Sequence, residues 1–254
     1  MKNRYINIVL PTIVIVGLLV LWQIASDYNW INSALFSSPT EVGKAFLSTK
    51  SLGAHVVQSL YRLSISVFIG YSVGTISGLL ISSFSRLSFL EDILAFFMSI
   101  PGISWAPIFI MLIGFGDKTI NTVGALTAFF PALYNSYQGM KAIDKNLLRV
   151  SRMLEYKPIL TALKVKIPAI SNYLLVGLKE AFSRTWRTII AVEMIAATMY
   201  GIGYMTFSAR ELLNMDRMFM GIVLSGVLYM LIDVLIVILI ENQTVVKWGM
   251  KIKR

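Results

Sequence analysis

Long apolar runs separated by short polar segments dominate this chain. Runs of about twenty mostly apolar residues cover roughly 6–25, 60–82, 92–114, 119–140, 173–199 and 219–240. Each is long enough for one helix to cross a hydrocarbon core about 30 Å thick. Glycine and proline interrupt several runs, which membrane helices tolerate better than soluble ones. The pattern predicts an all-α polytopic membrane protein of about six transmembrane helices in one domain spanning residues 1–254. A first span at 6–25 precedes a core at about 60–240. The start resembles a secretory signal, but its apolar run is longer than a usual signal core and no small-residue cleavage site follows. It is therefore predicted to be a retained span.

The polar segments differ in kind. "SSPTEVGKAF" (37–46) has a Ser or Thr shortly before Glu41, the pattern of a helix N-cap. It predicts an amphipathic helix on the outer surface. The segment 141–172 is too polar to span and too patterned to be a linker. Leu147, Leu148, Val150, Ser151 and Leu154 form one apolar-leaning helical face, with Arg149 and Arg152 opposite. Tyr156 and Lys157 precede Pro158, which pushes the residue before it out of helical geometry. A second short helix is expected from Ile159 to Lys166, stopping near Pro168. The segment reads as helix–turn–helix, suited either to a partner protein or to lipid headgroups held by its lysines.

Composition agrees with the pattern. The chain of 254 residues is 56% hydrophobic and 14% charged, against about a quarter charged for soluble domains. Its net charge of +10 is unevenly placed. With the N-terminus inside, the inner segments hold 14 Lys and Arg against five Asp and Glu, and the outer segments five against five. That asymmetry predicts both termini in the cytoplasm. It also makes the positive charge a topology signal and excludes nucleic acid as a partner; lipid is the expected surrounding. With no cysteine and one histidine, His55, thiolate and His-cluster metal sites are excluded. No nucleophile–base set stands out, and no G-x-x-x-x-G-K-[ST] loop is present. Any ATP chemistry must come from another chain.

Several segments together resemble a known family. "LLRVSRMLEYKPILTALKVKIPAISNYLLVGLKEAFSRTWRTIIAVEMIAATMYGIGYM" (147–205), "SIPGISWAPIFIMLIGFGD" (99–117), "FFPALYNSYQGMKAID" (129–144) and "FSSPTEVGKAF" resemble the membrane permease subunits of binding-protein-dependent bacterial ABC importers. The similarity is to the nitrate, sulfonate and taurine branch. The resemblance implies a non-enzymatic subunit of the cell membrane, with ATP and Mg on a separate ATP-binding subunit. It further implies a second permease copy, identical or paralogous, and an extracytoplasmic solute-binding protein. Transport would proceed by alternating access.

The family's cytoplasmic signature is Glu-Ala-Ala, three residues, Gly, nine residues, Ile-x-Leu-Pro. Anchored on Pro168, this chain places Arg149, Val150 and Ser151 at the front and Glu155 at the glycine. Val165, Lys166 and Ile167 lead to the proline. The resemblance makes this loop the coupling helix, with Leu154, Glu155 and Tyr156 near the ATPase contact. A glycine at a helix end usually supplies a left-handed residue. Glutamate there costs about 1 kcal/mol or more, so either the turn takes another shape or the partner stabilises it.

Charges inside the fifth span are costly unless they face protein or water. Glu180 and Arg184 are four apart and can pair, with Arg187 near the same face. Lys179 is placed to snorkel, and Asp233 of the sixth span could add a carboxylate. Either these charges lock the helices together, or Arg184 and Arg187 line a path suited to an anion. Relatives share an Arg-Trp and an Ala-Glu pair here, which implies Trp186 and Glu193 as further path residues. The expected solute is a small anion such as nitrate, a sulfonate or a taurine-like compound. The alternatives are a neutral or cationic vitamin precursor and, in a different class, ion-coupled secondary transport. Gly70, Gly74 and Gly78 form a stripe expected to admit another helix closely. Trp30, Trp105 and Trp248 are expected at membrane edges.

Overall fold

A computed structural model describes residues 2–28, 30, 36–82 and 90–236. Among these residues every regular element is helical. In chain order they are α1 (Lys2–Asp27), α2 (Pro39–Ser48), α3 (Leu52–Ile81), α4 (Leu90–Ser99), α5 (Ala106–Ile113), α6 (Asp117–Lys141), α7 (Lys145–Met153), α8 (Pro158–Thr161), α9 (Ile167–Ala169), α10 (Ser171–Ala196), α11 (Ile202–Glu211) and α12 (Met215–Ile236).

α6 lies at the centre, between α3 and α10. The α3 glycine stripe makes this possible. A β-carbon at Gly70, Gly74 or Gly78 would lie 2.7, 2.9 or 2.8 Å from the β-carbons of Ala128, Ala132 and Ser136. Contacts advance in the same direction on both helices, so α3 and α6 run parallel with backbones nearly touching. The stripe serves packing. α10 runs antiparallel to both: Gly177 meets Asn135 on α6, and the Tyr71 hydroxyl of α3 donates to the Leu174 carbonyl at 2.9 Å. Leu63, Val67, Ile120, Val123, Trp186, Ile189 and Val192 fill the space between the three.

The other helices surround this trio. α2 begins with a capping box: Ser38 Oγ accepts from the Glu41 amide, and the Glu41 carboxylate accepts from the Ser38 amide. It buries Val42 and Ala45 in a cluster with Met205 and Met220. α1 touches the rest through α2 and through Trp22, which donates to the Ser37 carbonyl. Ile13 to Leu21 of α1 are largely exposed, which suits a lipid surrounding.

The helices bear out the expected all-α membrane class, and the expected run at 92–114 is bent. Among the described residues, α3 and α12 are long and apolar enough to cross a membrane unaided. Two more candidates arise only if each of two bent helix pairs counts as one span, Glu91–Ser99 with Gly102–Ile113 and Pro158–Ala169 with Ser171–Ala196. α6 fails on polarity because protein, not lipid, surrounds it. Residues 237–240 of the last expected span, the basic residues Lys247, Lys251, Lys253 and Arg254 of the C-terminal tail, and Trp248 lie outside the described residues.

The helix expected from Ile159 to Lys166 does end near Pro168, one residue beyond it. Helical chain runs from Pro158 to Ala169 and turns by 67° before α10. Ala162–Lys166 are π-helical, and the Ile167 amide donates to the Ala162 carbonyl. The wider turn accommodates the ring of Pro168, which has no N–H to continue the α ladder.

Candidate functional site

The site begins with a broken helix. Pro101 follows Ile100, which is thereby disfavoured as a helical residue, and α4 ends at Ser99. Pro101 is extended (φ −57°, ψ 132°). A 3-10 turn, Gly102–Trp105, then leads into α5, which has Pro107 in its first turn. The axis turns by 87°. Gly102 sits between α6 and α10, where a β-carbon would come within 2.7 Å of the Thr127 hydroxyl and 2.8 Å of the Thr188 methyl. The unbroken hydropathy of 92–114 gave no sign of this turn.

A cavity of about 560 Å³ opens beside the break. One wall is Phe97–Ile103 with Trp105, and the others come from α6 and α10. Phe97 stacks on Phe130 at 5.2 Å and on Trp105 at 6.4 Å. Trp105 is thus a cavity residue. Thr127, Thr188, Ser99 and Ser183 supply hydroxyls, and the charged lining residues are Glu180, Arg184 and Arg187, all on α10.

The expected Glu180–Arg184 pair does not form. Arg184 Nη1 donates instead to the Met98 carbonyl at 3.2 Å. That carbonyl belongs to the last turn of α4, where helix carbonyls lack intrahelical donors and the dipole favours a cation. Arg187 is exposed and bonds within its own helix, to the Ser183 carbonyl at 3.1 Å and hydroxyl at 2.9 Å. Glu180 Oε2 is buried without a hydrogen-bond partner.

Trp186 and Glu193 are not among the cavity residues. The Trp186 ring is buried in the core, and its indole N–H donates to the Ser225 carbonyl of α12 at 3.0 Å. Asp233 is exposed on α12 and does not line the cavity. Glu193 is 0% exposed and sits in an ionic cluster at the end of the trio far from α7. Arg62 of α3, 2% exposed, donates through Nη1 to Glu193 at 2.6 Å and through Nη2 to Asp117 at 2.6 Å. Ser59 and the Gly203 amide also donate to the Glu193 carboxylate. Arg62 Nη1 further donates to the Tyr200 carbonyl. Gly201 (φ +146°) fits where a β-carbon would collide with both Arg62 and Glu193, and its carbonyl lies 2.9 Å from His55 Nδ1. Arg62 was legible in principle: it is an ionisable residue inside an apolar span, the same sign that singled out Arg184.

At the opposite end, α7 starts on Asp144, whose side chain accepts from the Asn146 amide at 2.8 Å. Ser151 is buried against the molecule. Val150, Met153 and Leu154 project outward with Ile159 and Leu163, Met153 being 82% exposed. Arg149 and Arg152 are also exposed, Tyr156 and Pro168 half-buried. Glu155 adopts the left-handed conformation at φ +52°. Its amide donates to the Arg152 carbonyl, and that of Tyr156 donates to the Ser151 carbonyl. This pair of bonds defines a Schellman turn, so glutamate keeps the shape a glycine would give. No group of three or more potential metal ligands occurs among the described residues.

Residues 66–243 match the family model of the binding-protein-dependent transport system inner membrane component. The chain belongs to this family of ABC importer permeases. The permease is 31% identical over 237 residues to a protein of Escherichia coli named as a putative aliphatic sulfonates transport permease, covering 91% of this chain and 89% of that one. It is 26% identical over 247 residues to a Bacillus subtilis protein of the same description, covering 95% and 87%. A bicarbonate transport system permease of Synechocystis is 25% identical over 244 residues, covering 91% and 87%. The permease thus aligns over nearly its whole length with proteins named for anion transport.

Proposed function

We propose that this permease forms part of the membrane path of an ATP-driven importer for a small anion, of the sulfonate or bicarbonate kind. The observation that carries this reading is the pair Arg184 and Arg187 in a hydroxyl-lined cavity beside a broken helix. Irregular backbone at membrane depth is tolerated where it lines a cavity, and an intramembrane cation marks a solute path by default. Arg187 is the better ligand of the two, because Arg184 is engaged with the end of α4. Relatives named for sulfonate and bicarbonate transport support the anion assignment.

The α7–α9 knob supports coupling to an ATP-binding subunit. Its outward Met153 and Leu154 are apolar where a lone surface would be polar, and the hydrogen-bonded turn at Glu155 sets their direction. In this reading both termini are cytoplasmic and a solute-binding protein delivers the anion from outside. A second permease copy, identical or paralogous, completes the path. ATP closes the ATPase pair, the knobs move, and the helix trios rock to open the path alternately.

Two measurements test the proposal. Arg187→Gln is expected to lower uptake of the native solute by at least tenfold while the complex still assembles; full-rate uptake would sink the anion path. Scrambling residues 149–158 is expected to abolish co-purification of ATPase activity without loss of membrane insertion, and retained ATPase would dismiss the coupling role.

A further inference from the structure

We infer, resting on the proposed coupling role of the α7–α9 knob, that Glu91 and Lys141 are positioning residues through which the knob moves the cavity wall. α4 is the rod between the two.

The knob continues directly into two helices of the trio. α7 follows α6 after residues 142–144, and α9 leads into α10 through Ile170. α4 has no such link, because α5 and α6 lie between it and the knob in sequence. A noncovalent contact must carry any motion from one to the other, and the first turn of α4 supplies it. Glu91 forms an ion pair with Lys141, the last residue of α6. The Lys141 ammonium also sits 5.2 Å from the centre of the Tyr137 ring, one turn earlier, and that ring is buried. The cation is thereby held in place beside the carboxylate. Lys141 is three residues from Asp144, the cap on which α7 starts, so a shift of the knob reaches this ammonium through a short stretch of chain. The pair is no structural lock. Its side chains are 47% and 35% exposed, and such pairs add little stability. Arg62 and Glu193, at 2% and 0%, show what a buried lock looks like in this protein.

The other end of α4 is the wall itself. Seven residues on from Glu91, about 10 Å along the axis, the Met98 carbonyl accepts from Arg184 of α10. Beside it Phe97 stacks on Phe130 of α6 at 5.2 Å, the rings 5° apart. Both ends of the rod carry the charge that suits its dipole, Glu91 and Asp92 at the start and the Arg184 guanidinium at the finish. Residues 90–99 include neither proline nor glycine, the usual causes of a kink, so α4 moves as one piece. Burial between the ends is apolar, at Leu94, and apolar contact is non-directional. The polar ends therefore set where the rod lies. When the knob displaces Lys141, Glu91 follows, and the shift arrives at Phe97 and Met98 in the cavity lining.

The chain has no cysteine, so one introduced thiol carries one fluorescent probe. Bimane is attached at Ala95→Cys on α4 or at Lys145→Cys on the knob, both exposed positions, in the importer assembled with its ATP-binding subunits in lipid nanodiscs. Trapping with ATP and vanadate is expected to shift the emission of both probes. Glu91→Gln and Lys141→Gln should each cut the α4 response at least fivefold and leave the knob response intact. The double variant should lose no more than either single one, as residues acting through one contact do, and Lys141→Arg should keep the response. An undiminished α4 response in Glu91→Gln overturns the inference. Loss of both responses together overturns it too, since the pair would then support the fold. An α4 probe that stays silent in the wild type while the knob probe responds also overturns it and leaves the coupling role standing. A silent knob probe in the wild type overturns the coupling role itself, and the inference falls with it.

Discussion

Two residues show how single side chains set the shape of this permease. Glu155 occupies a left-handed position at φ +52°, a conformation that costs a residue with a β-carbon about 1–2 kcal/mol. The two bonds of the Schellman turn and the helix before it hold it there. A β-branched residue suffers more in that position. Glu155→Val is therefore expected to loosen the turn and speed tryptic cleavage after Arg149 and Arg152, both exposed beside it, whereas Glu155→Gly should not. Equal cleavage of all three forms would mean that the turn is not strained. Arg62 is the second case. Removing one partner of a buried ion pair leaves the other uncompensated, at a cost of about 3–5 kcal/mol. Arg62→Leu alone should lower the apparent melting temperature of the solubilised protein sharply, and pairing it with Glu193→Leu should recover part of the loss. If the double variant melts no higher than the single one, the cluster is not held by this pair.

Among the elements, the α3–α6 contact is the most demanding. A side chain at Gly74 meets both the Ala132 β-carbon and the α6 backbone. Gly74→Ala is expected to destabilise by about 1–3 kcal/mol, the range for overpacking, while Gly53→Ala, which faces open space, should not. Equal melting of the two would show that the seam is loose. Helix type and the glycine seam were legible, because apolar runs of spanning length and four-residue glycine spacing are local signals. The Ser38 cap was legible for the same reason. The break at Pro101 was signalled locally by Pro-Gly but not by hydropathy, and the contact of Gly102 with Thr127 and Thr188 that seats it is tertiary. The partner of Arg184 was not legible. Spacing brought Glu180 within reach, but the competing acceptor, the Met98 carbonyl, lies 86 residues away in sequence. Local rules name the groups able to pair, and tertiary packing decides which do.

Across the whole molecule, the helix trio separates three features along its length. The apolar knob is at one end, the cavity beside the middle of α10, and the Arg62 cluster at the far end. This separation predicts that damage to one leaves the others standing. Met153→Asp with Leu154→Asp, both on the outer face of the knob, should leave melting and membrane insertion unchanged yet cut co-purifying ATPase at least tenfold. A fall in melting temperature instead would show that the knob supports the fold. The cavity walls differ in the same spirit. α6 and α10 are continuous helices, and bending either would break ladder bonds. The wall from Ser99 to Trp105 has already left the α ladder, its Met98 carbonyl held by a side chain and its next residues by a single tight turn. When the passage changes shape, this is the surface that can give way first, like a seam left unstitched between two sheets of stiff cloth.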